Sequence, residues 1–187
     1  NSNKITFAFV GRMSYQKDPI LLVYIIQRLH RWARKNNIAT EFEILGEGPL
    51  LPPVKALVAR LKLKEVTKFH LADADVAALM KRADILLLPS ENEGLALVCY
   101  EAIESGAIPI CSDVGGQSEL IPEGLLFDAL PRKAINQCVD IVDRLVKDPA
   151  FLANIKIQLQ ANYNTIKAEP SAHDVLMPRY LEAAKVN

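Results

Sequence analysis

Short apolar runs alternate with longer amphipathic stretches along this chain, a pattern that predicts strands feeding helices around a parallel sheet. Ile5 to Val10 is β-branched and aromatic and stops at Gly11, which marks a first strand. Pro19 to Arg34 has apolar positions at helical spacing, with Pro19 acceptable in a first turn. Phe42 to Leu45 predicts a second strand, closed by Gly46-Glu47-Gly48-Pro49. A helix over Val54 to Leu63 follows, its start delayed by Pro52 and Pro53. Thr67 to Leu71 is a third strand and Val76 to Arg82 a short helix. Ile85 to Leu88 is entirely apolar, as a central strand covered on both faces should be.

Further along, Leu95 to Ser105 predicts a helix ended by Gly106, and Ile108 to Cys111 a strand. Gly115-Gly116 opens a helical turn, and Leu125 to Phe127 predicts an edge strand. From Pro131 onward the pattern is mostly helical, with breaks at Asp148-Pro149 and Glu169-Pro170. No repeat, low-complexity tract or linker divides the chain. The 187 residues therefore read as a single α/β unit, a Rossmann-like doubly wound domain with a parallel sheet and a helical C-terminal tail.

Charge narrows the partners. Lys plus Arg and Asp plus Glu both total 22, so the balance argues against broad capture of nucleic acid, which needs a basic surface. The strongest apolar stretch, Ile20 to Ile26, is far too short to cross a bilayer, and no basic amphipathic surface is expected on this domain. No secretory leader is visible, although the chain opens at Asn1 rather than at a methionine. Cys99, Cys111 and Cys138 are odd in number and lack metal-ligand spacing, which predicts buried thiols in a reducing, cytoplasmic setting.

Ligands of open α/β sheets collect at the carboxyl ends of the strands, and segments with polar groups are predicted there. The first is Gly11-Arg12-Met13-Ser14-Tyr15-Gln16-Lys17, where Arg12 and Lys17 place two cations in one loop. That pairing suits a diphosphate, though taken alone it is equally a solvated basic loop. The second is Ser90 to Glu101, at the opening of a helix whose first N–H groups can receive an anion. Glu93 and Glu101 are eight residues apart, close to two helical turns, so both are expected to face one cleft. The competing reading makes Glu93 a partner of the helix dipole and Glu101 a surface residue. Against it, Glu101 stands between Tyr100 and Ala102 in an apolar helix. The third segment, Asp113 to Glu119, contains Gly115-Gly116, where backbone can approach a ligand closely.

Together these segments resemble a known family. Gly11-Arg12 followed by Lys17, the Gly46-x-Gly48-Pro49 turn, and Ala83-Asp84 leading into Leu87-Leu88-Pro89-Ser90 are the first matching elements. Glu93-Gly94-Leu95-Ala96-Leu97-Val98 with Glu101-Ala102, then Gly106-x-x-Pro109 and Gly115-Gly116 with Glu119, complete the set. In order and spacing, over about residues 5 to 128, it resembles the C-terminal domain of retaining GT-B glycosyltransferases, especially glycosyltransferase family 4. The resemblance implies that Arg12 and Lys17 neutralise a donor diphosphate and that Glu101 binds the ribose hydroxyls. It implies that Glu93 holds the transferred sugar, helped by backbone at Gly94, Leu95 and Ala96, while the Leu97 amide meets a phosphate oxygen. Arg12, Lys17 and Glu93 would then form the catalytic set, with fixed cations and amides serving in place of a metal. The substrate would be a nucleoside diphosphate sugar and the full-length protein a hexosyltransferase in polysaccharide or glycolipid synthesis. Such a protein would be cytoplasmic or at the inner face of a membrane. Its N-terminal acceptor domain would lie outside residues 1–187, leaving the domain inactive alone.

Departures from the family pattern are Ala96 in place of a frequent glycine, a shorter loop without glycine after Leu71, and a shortened stretch after Ile121. The base, UDP or GDP, is therefore left open. Asp73-Ala74-Asp75 spells a metal-binding Asp-x-Asp but precedes a short helix, so capping is expected. His30 is expected to be structural, and His70 a strand-end residue near the base-binding end of the sheet. His173 falls near a last helix containing Met177, Tyr180 and Leu181, which is expected to pack on its own domain. A GT-B phosphorylase, a sugar-nucleotide epimerase and a non-catalytic binding module remain alternatives.

Overall fold

The computed structural model describes residues 3–70, 74–94 and 96–168. The strands are β1 (Lys4–Val10), β2 (Ala39–Leu45), β3 (Thr67–His70), β4 (Ile85–Leu88), β5 (Ile108–Ser112) and β6 (Leu126–Phe127). The helices are α1 (Pro19–Lys35), α2 (Leu51–Arg60), α3 (Val76–Arg82), α4 (Leu97–Ser105), α5 (Gln117–Leu120), α6 (Pro131–Lys147) and α7 (Pro149–Ala168). All pairs are parallel, in the order β3-β2-β1-β4-β5-β6, so the sheet is doubly wound and its order reverses between β1 and β4. β1 pairs with β2 from Lys4–Ala39 through Val10–Leu45, whereas β1 and β4 pair over Phe7–Ile85 and Ala8–Leu86.

Burial explains the central strands. β4 and β5 are buried at every residue, which accounts for the unbroken apolar run of β4 and for the apolar run of β5 up to Ser112. Phe7 stacks on Phe42 across β1 and β2, with centroids 4.8 Å apart. α1 covers them with Leu21, Leu22, Ile25, Ile26 and Leu29, each contributing on the order of 1.5–3 kcal/mol through burial. Its start is fixed by Asp18, whose side chain accepts the Leu21 N–H at 2.9 Å.

The prolines of α2 do not act as expected. The helix begins at Leu51, with Pro52 inside its first turn, because first-turn N–H groups have no intrahelical partner and a proline there removes nothing. The fourth helix begins at Leu97 rather than Leu95, after an N-cap at Ala96, and Leu95 itself lies outside the described residues. Asp75 does cap α3, accepting the Ala78 N–H at 3.0 Å, while Asp73 lies outside the described residues. Asp84 accepts the Thr6 N–H at 2.7 Å and so ties the start of β4 to β1. His30 bonds Thr40 Oγ1 at 2.9 Å; burial, and then the Arg34 charge, lower its pKa.

All three cysteines are buried. The Cys99 and Cys111 sulfurs lie 3.6 Å apart. Their mutual hydrogen bond and then burial hold the Cys111 thiol well above its usual range, and burial raises Cys138. The helical tail is present as α7, whereas His173, Met177, Tyr180 and Leu181 lie outside the described residues. Among the described residues no helix is long and apolar enough to cross a membrane.

α1 and α6 are joined by a polar bond, Trp32 Nε1 donating to Asp143 Oδ1 at 2.7 Å. Lys147, 2.5 Å away, and then the indole N–H hold the Asp143 carboxyl below its ordinary pKa. A depressed carboxylate stabilises the fold above its unfolded pKa, and that contribution is lost as pH falls through the folded value. Asp143→Asn should therefore cost about 0.5–1 kcal/mol at pH 7, an amount limited by solvent exposure. Urea titrations of both forms should show the difference shrinking progressively as pH falls below about 4.

Candidate functional site

Loops following β2, β1, β4 and β5 meet at the carboxyl edge of the sheet in the same order as their strands. Between the first two, the Gly11 N–H donates to Leu45 O at 3.1 Å and the Met13 N–H to Glu47 O at 2.8 Å. Gly46 sits at φ +149°, and a Cβ there would fall 1.9 Å from Gly11 O, so only glycine permits this approach. Met13, fully buried, fills the space beneath.

Across the point where the strand order reverses, the β1 and β4 loops are bonded along their length. The Glu91 N–H donates to Gln16 O at 2.8 Å, and Gln16 Nε2 donates to Asn92 O at 3.1 Å. Lys17 Nζ then forms an ion pair with Glu93 Oε1. Glu93 is only 8% exposed, and the same oxygen accepts the Ser90 hydroxyl at 2.7 Å. Burial of a carboxylate is tolerated because a cation and a hydroxyl replace its water.

The β5 loop supports Glu93 from the other side. Ser112 Oγ donates to Ser90 O at 2.5 Å, and Gly115, at φ +58°, brings its Cα against the Glu93 carbonyl. A Cβ on Gly115 would lie 1.6 Å from that oxygen.

These contacts settle where the expected residues stand. Lys17 and Glu93 are in direct contact. Arg12 is exposed in the same loop as Lys17, and its side chain makes no ion pair or hydrogen bond among the described residues. Gly94 is exposed and Ala96 buried; Leu97 presents a side chain that is 77% exposed. Glu101 is exposed on α4. The helical relation expected between Glu93 and Glu101 does not hold, because α4 begins only at Leu97 and Glu93 is placed by Lys17 and Ser90 instead. α4 has no side-chain cap at its N-terminus: the Cys99 N–H bonds Ala96 O at 2.9 Å, and the Leu97 and Val98 amides have no hydrogen-bond partner among the described residues.

His70, at the end of β3, faces Glu43 at 3.5 Å, and Glu43 also takes Arg82 at 2.9 Å. Sequence reasoning missed Gln16, Ser112 and Ser90 as supports for the crevice. Ser112 carried a signal, being a polar residue at the end of a wholly buried strand. Among the described residues, no group of three His, Cys, Asp or Glu side chains is placed to hold a metal ion.

The arrangement places cations, helix amides and a buried carboxylate together at the switch point of a Rossmann-like α/β domain of the kind that forms half of a GT-B fold. Comparison with known proteins agrees. The chain belongs to the family described as glycosyl transferases group 1, which matches residues 1–164. It is 28% identical over 144 residues to glycogen synthase of Mycobacterium tuberculosis, covering 76% of this chain and 34% of that protein. It is 30% identical over 156 residues to D-inositol 3-phosphate glycosyltransferase of Arthrobacter, covering 80% and 36%. The chain thus spans about a third of the length of these curated relatives. Among solved structures, the pneumococcal O-GlcNAc transferase GtfA in complex with UDP and GlcNAc superposes with a TM-score of 0.74 at 18% identity, over 86% of this chain and 32% of that one.

Two substitutions test the geometry. Gly115→Ala should lower stability by about 2–3 kcal/mol, read as a fall in denaturation midpoint with unchanged slope. Lys17→Gln should cost about 1–3 kcal/mol, because Glu93 is then left buried without its cation. The double variant Lys17→Gln/Glu93→Gln should recover much of that loss in the same titration.

Proposed function

We propose that this chain is the donor-binding domain of a retaining glycosyltransferase, taking a nucleoside diphosphate sugar between itself and an acceptor domain of the same polypeptide. The observation that carries the reading is the Lys17–Glu93 ion pair across the switch point, beside the open amides of α4 and the unpaired Arg12. In the unliganded crevice Glu93 holds the Lys17 charge in place. When a diphosphate enters, Lys17 can share its three N–H donors between Glu93 and a phosphate oxygen, while Arg12 swings in as a planar fork. The Leu97 amide takes another phosphate oxygen, and Glu93, with backbone at Gly94, Leu95 and Ala96, receives hydroxyls of the sugar. Glu101, exposed in the second turn of α4, accepts the ribose hydroxyls.

Charge develops on the leaving diphosphate as the sugar–phosphate bond breaks. Cations already oriented before the reaction stabilise it without reorganisation, which is the contribution this domain makes to catalysis. Family membership and the sugar-transferring relatives support a transferase, and the UDP complex of the solved relative supports a uridine nucleotide as the first donor to test. The acceptor site belongs to the partner domain, so the isolated chain should bind donor weakly and turn over little.

Calorimetry with UDP and GDP tests the binding step. We expect heat with at least one nucleotide, and an Arg12→Ala variant weakened by about tenfold, the loss of one charge-assisted contact. No heat with either nucleotide at millimolar concentration would favour a non-catalytic module. Product analysis with the full-length protein and a panel of nucleotide sugars separates transfer from phosphorolysis and epimerisation.

A further inference from the structure

The neutral balance of the chain conceals a segregated charge. α1 carries Arg28, His30, Arg31, Arg34 and Lys35 in its second half and no acidic residue anywhere. Tyr24, Gln27, Arg28, Arg31 and Lys35 follow one another at helical spacing and so share a face, which runs alongside α6. The result is a furrow about 16 Å long from Tyr24 to Lys35. One part, about 580 Å³, is lined by Arg28, Arg31, Trp32, Arg34, Lys35 and Val139. A second, about 300 Å³, shares Arg28 and Arg31 and extends to Arg132 and Ile135. This corrects the expectation that the domain lacks a basic amphipathic surface: the cations are dispersed in sequence among core residues and are gathered only when α1 folds against α6.

Stability does not account for the cluster. Arg34 and Lys35 complement the dipole at the end of α1, but Arg28 and Arg31 lie outside its last turn. Arg132 stands in the first turn of α6, where a cation is disfavoured. Its neighbour Lys133 is balanced by Asp128 at 3.0 Å. Among the described residues the side chains of Arg28, Arg31, Arg34, Lys35 and Arg132 make no hydrogen bond or ion pair. Of the two acids on α6, Asp143 is engaged by Trp32 and Lys147, and Asp140 is not among the residues lining the furrow.

We propose that this furrow docks the domain on an anionic phospholipid surface. The cations are all exposed on a shallow, elongated face, which suits an array of phosphates better than enclosure of one small anion. Tyr24, 38% exposed, and the half-buried Ile135 line the furrow and supply apolar groups suited to the headgroup boundary. The cluster lies in the half of α1 remote from the β1 loop, so a membrane on this face leaves the nucleotide crevice open.

Co-sedimentation of the 187-residue chain with vesicles tests the proposal at about 0.1 M salt. We expect binding to phosphatidylcholine vesicles containing phosphatidylglycerol and none to phosphatidylcholine alone. Arg28→Gln/Arg31→Gln should weaken binding by about tenfold or more, since each basic residue near the surface contributes. Lys55→Gln/Arg60→Gln, which removes the same charge from α2, should leave it within about twofold. Equal loss in both double variants, or no loss in the first, would overturn the proposal. So would binding of duplex DNA or soluble tripolyphosphate as tight as that of the vesicles at matched phosphate.

Discussion

Lys17 and Glu93 hold each other across the seam where the strand order reverses, and the carboxyl edge of the sheet is arranged around that pair. A carboxylate this buried is costly without compensation, so the bond requires the β1 loop to reach the β4 loop at one register. Gln16 sets that register through Glu91 and Asn92, and Ser90 occupies the remaining lone pair of the carboxylate oxygen. Gly115 and Ser112 then close the support from the β5 side. The crevice is in this sense prepared in advance: the Lys17 cation is already oriented, at the expense of a carboxylate that shares it.

Much of this was legible in the residues. Apolar runs such as Ile85 to Leu88 identified the central strands because complete burial leaves no polar face to alternate with. The boundaries of α2 and α4 were less legible, since Pro52 is harmless in a first turn and the residues before Leu97 are bent by bonds to distant loops. The candidate residues were recognisable as types in an ordered set, but their pairing was not. Sequence spacing suggested that Glu93 and Glu101 belonged together. Tertiary contacts instead join Glu93 to Lys17, 76 residues away, and leave Glu101 exposed. The glycines illustrate the same limit, because Gly46 and Gly115 are needed for backbone from another loop that no local pattern announces.

The distribution of charge matters more than its sum. Equal numbers of acids and bases describe a neutral chain, yet α1 gathers Arg28, Arg31, Arg34 and Lys35 without an acid, while Glu41 and Glu43 are paired on the sheet with Lys4, Lys68 and Arg82. Paired acids near β2 and unpaired bases on α1 give the domain two dissimilar flanks around one neutral core. So uneven a distribution sets the orientation in which a neutral domain meets a charged surface.

The unequal strand pairing has a consequence for how the protein forms. β1 is joined to β2 along its whole length, but meets β4 over Phe7–Ile85 and Ala8–Leu86. The two halves of the sheet, β1 to β3 and β4 to β6, share one hydrophobic core and are joined by contacts far apart in sequence. Such non-local closure comes late, because loop entropy is lost before the contacts repay it. Lys17 follows β1 and Glu93 follows β4, so their ion pair exists only where both halves of the sheet have come together. An intact Lys17–Glu93 pair is thus a mark of the assembled sheet rather than of either half.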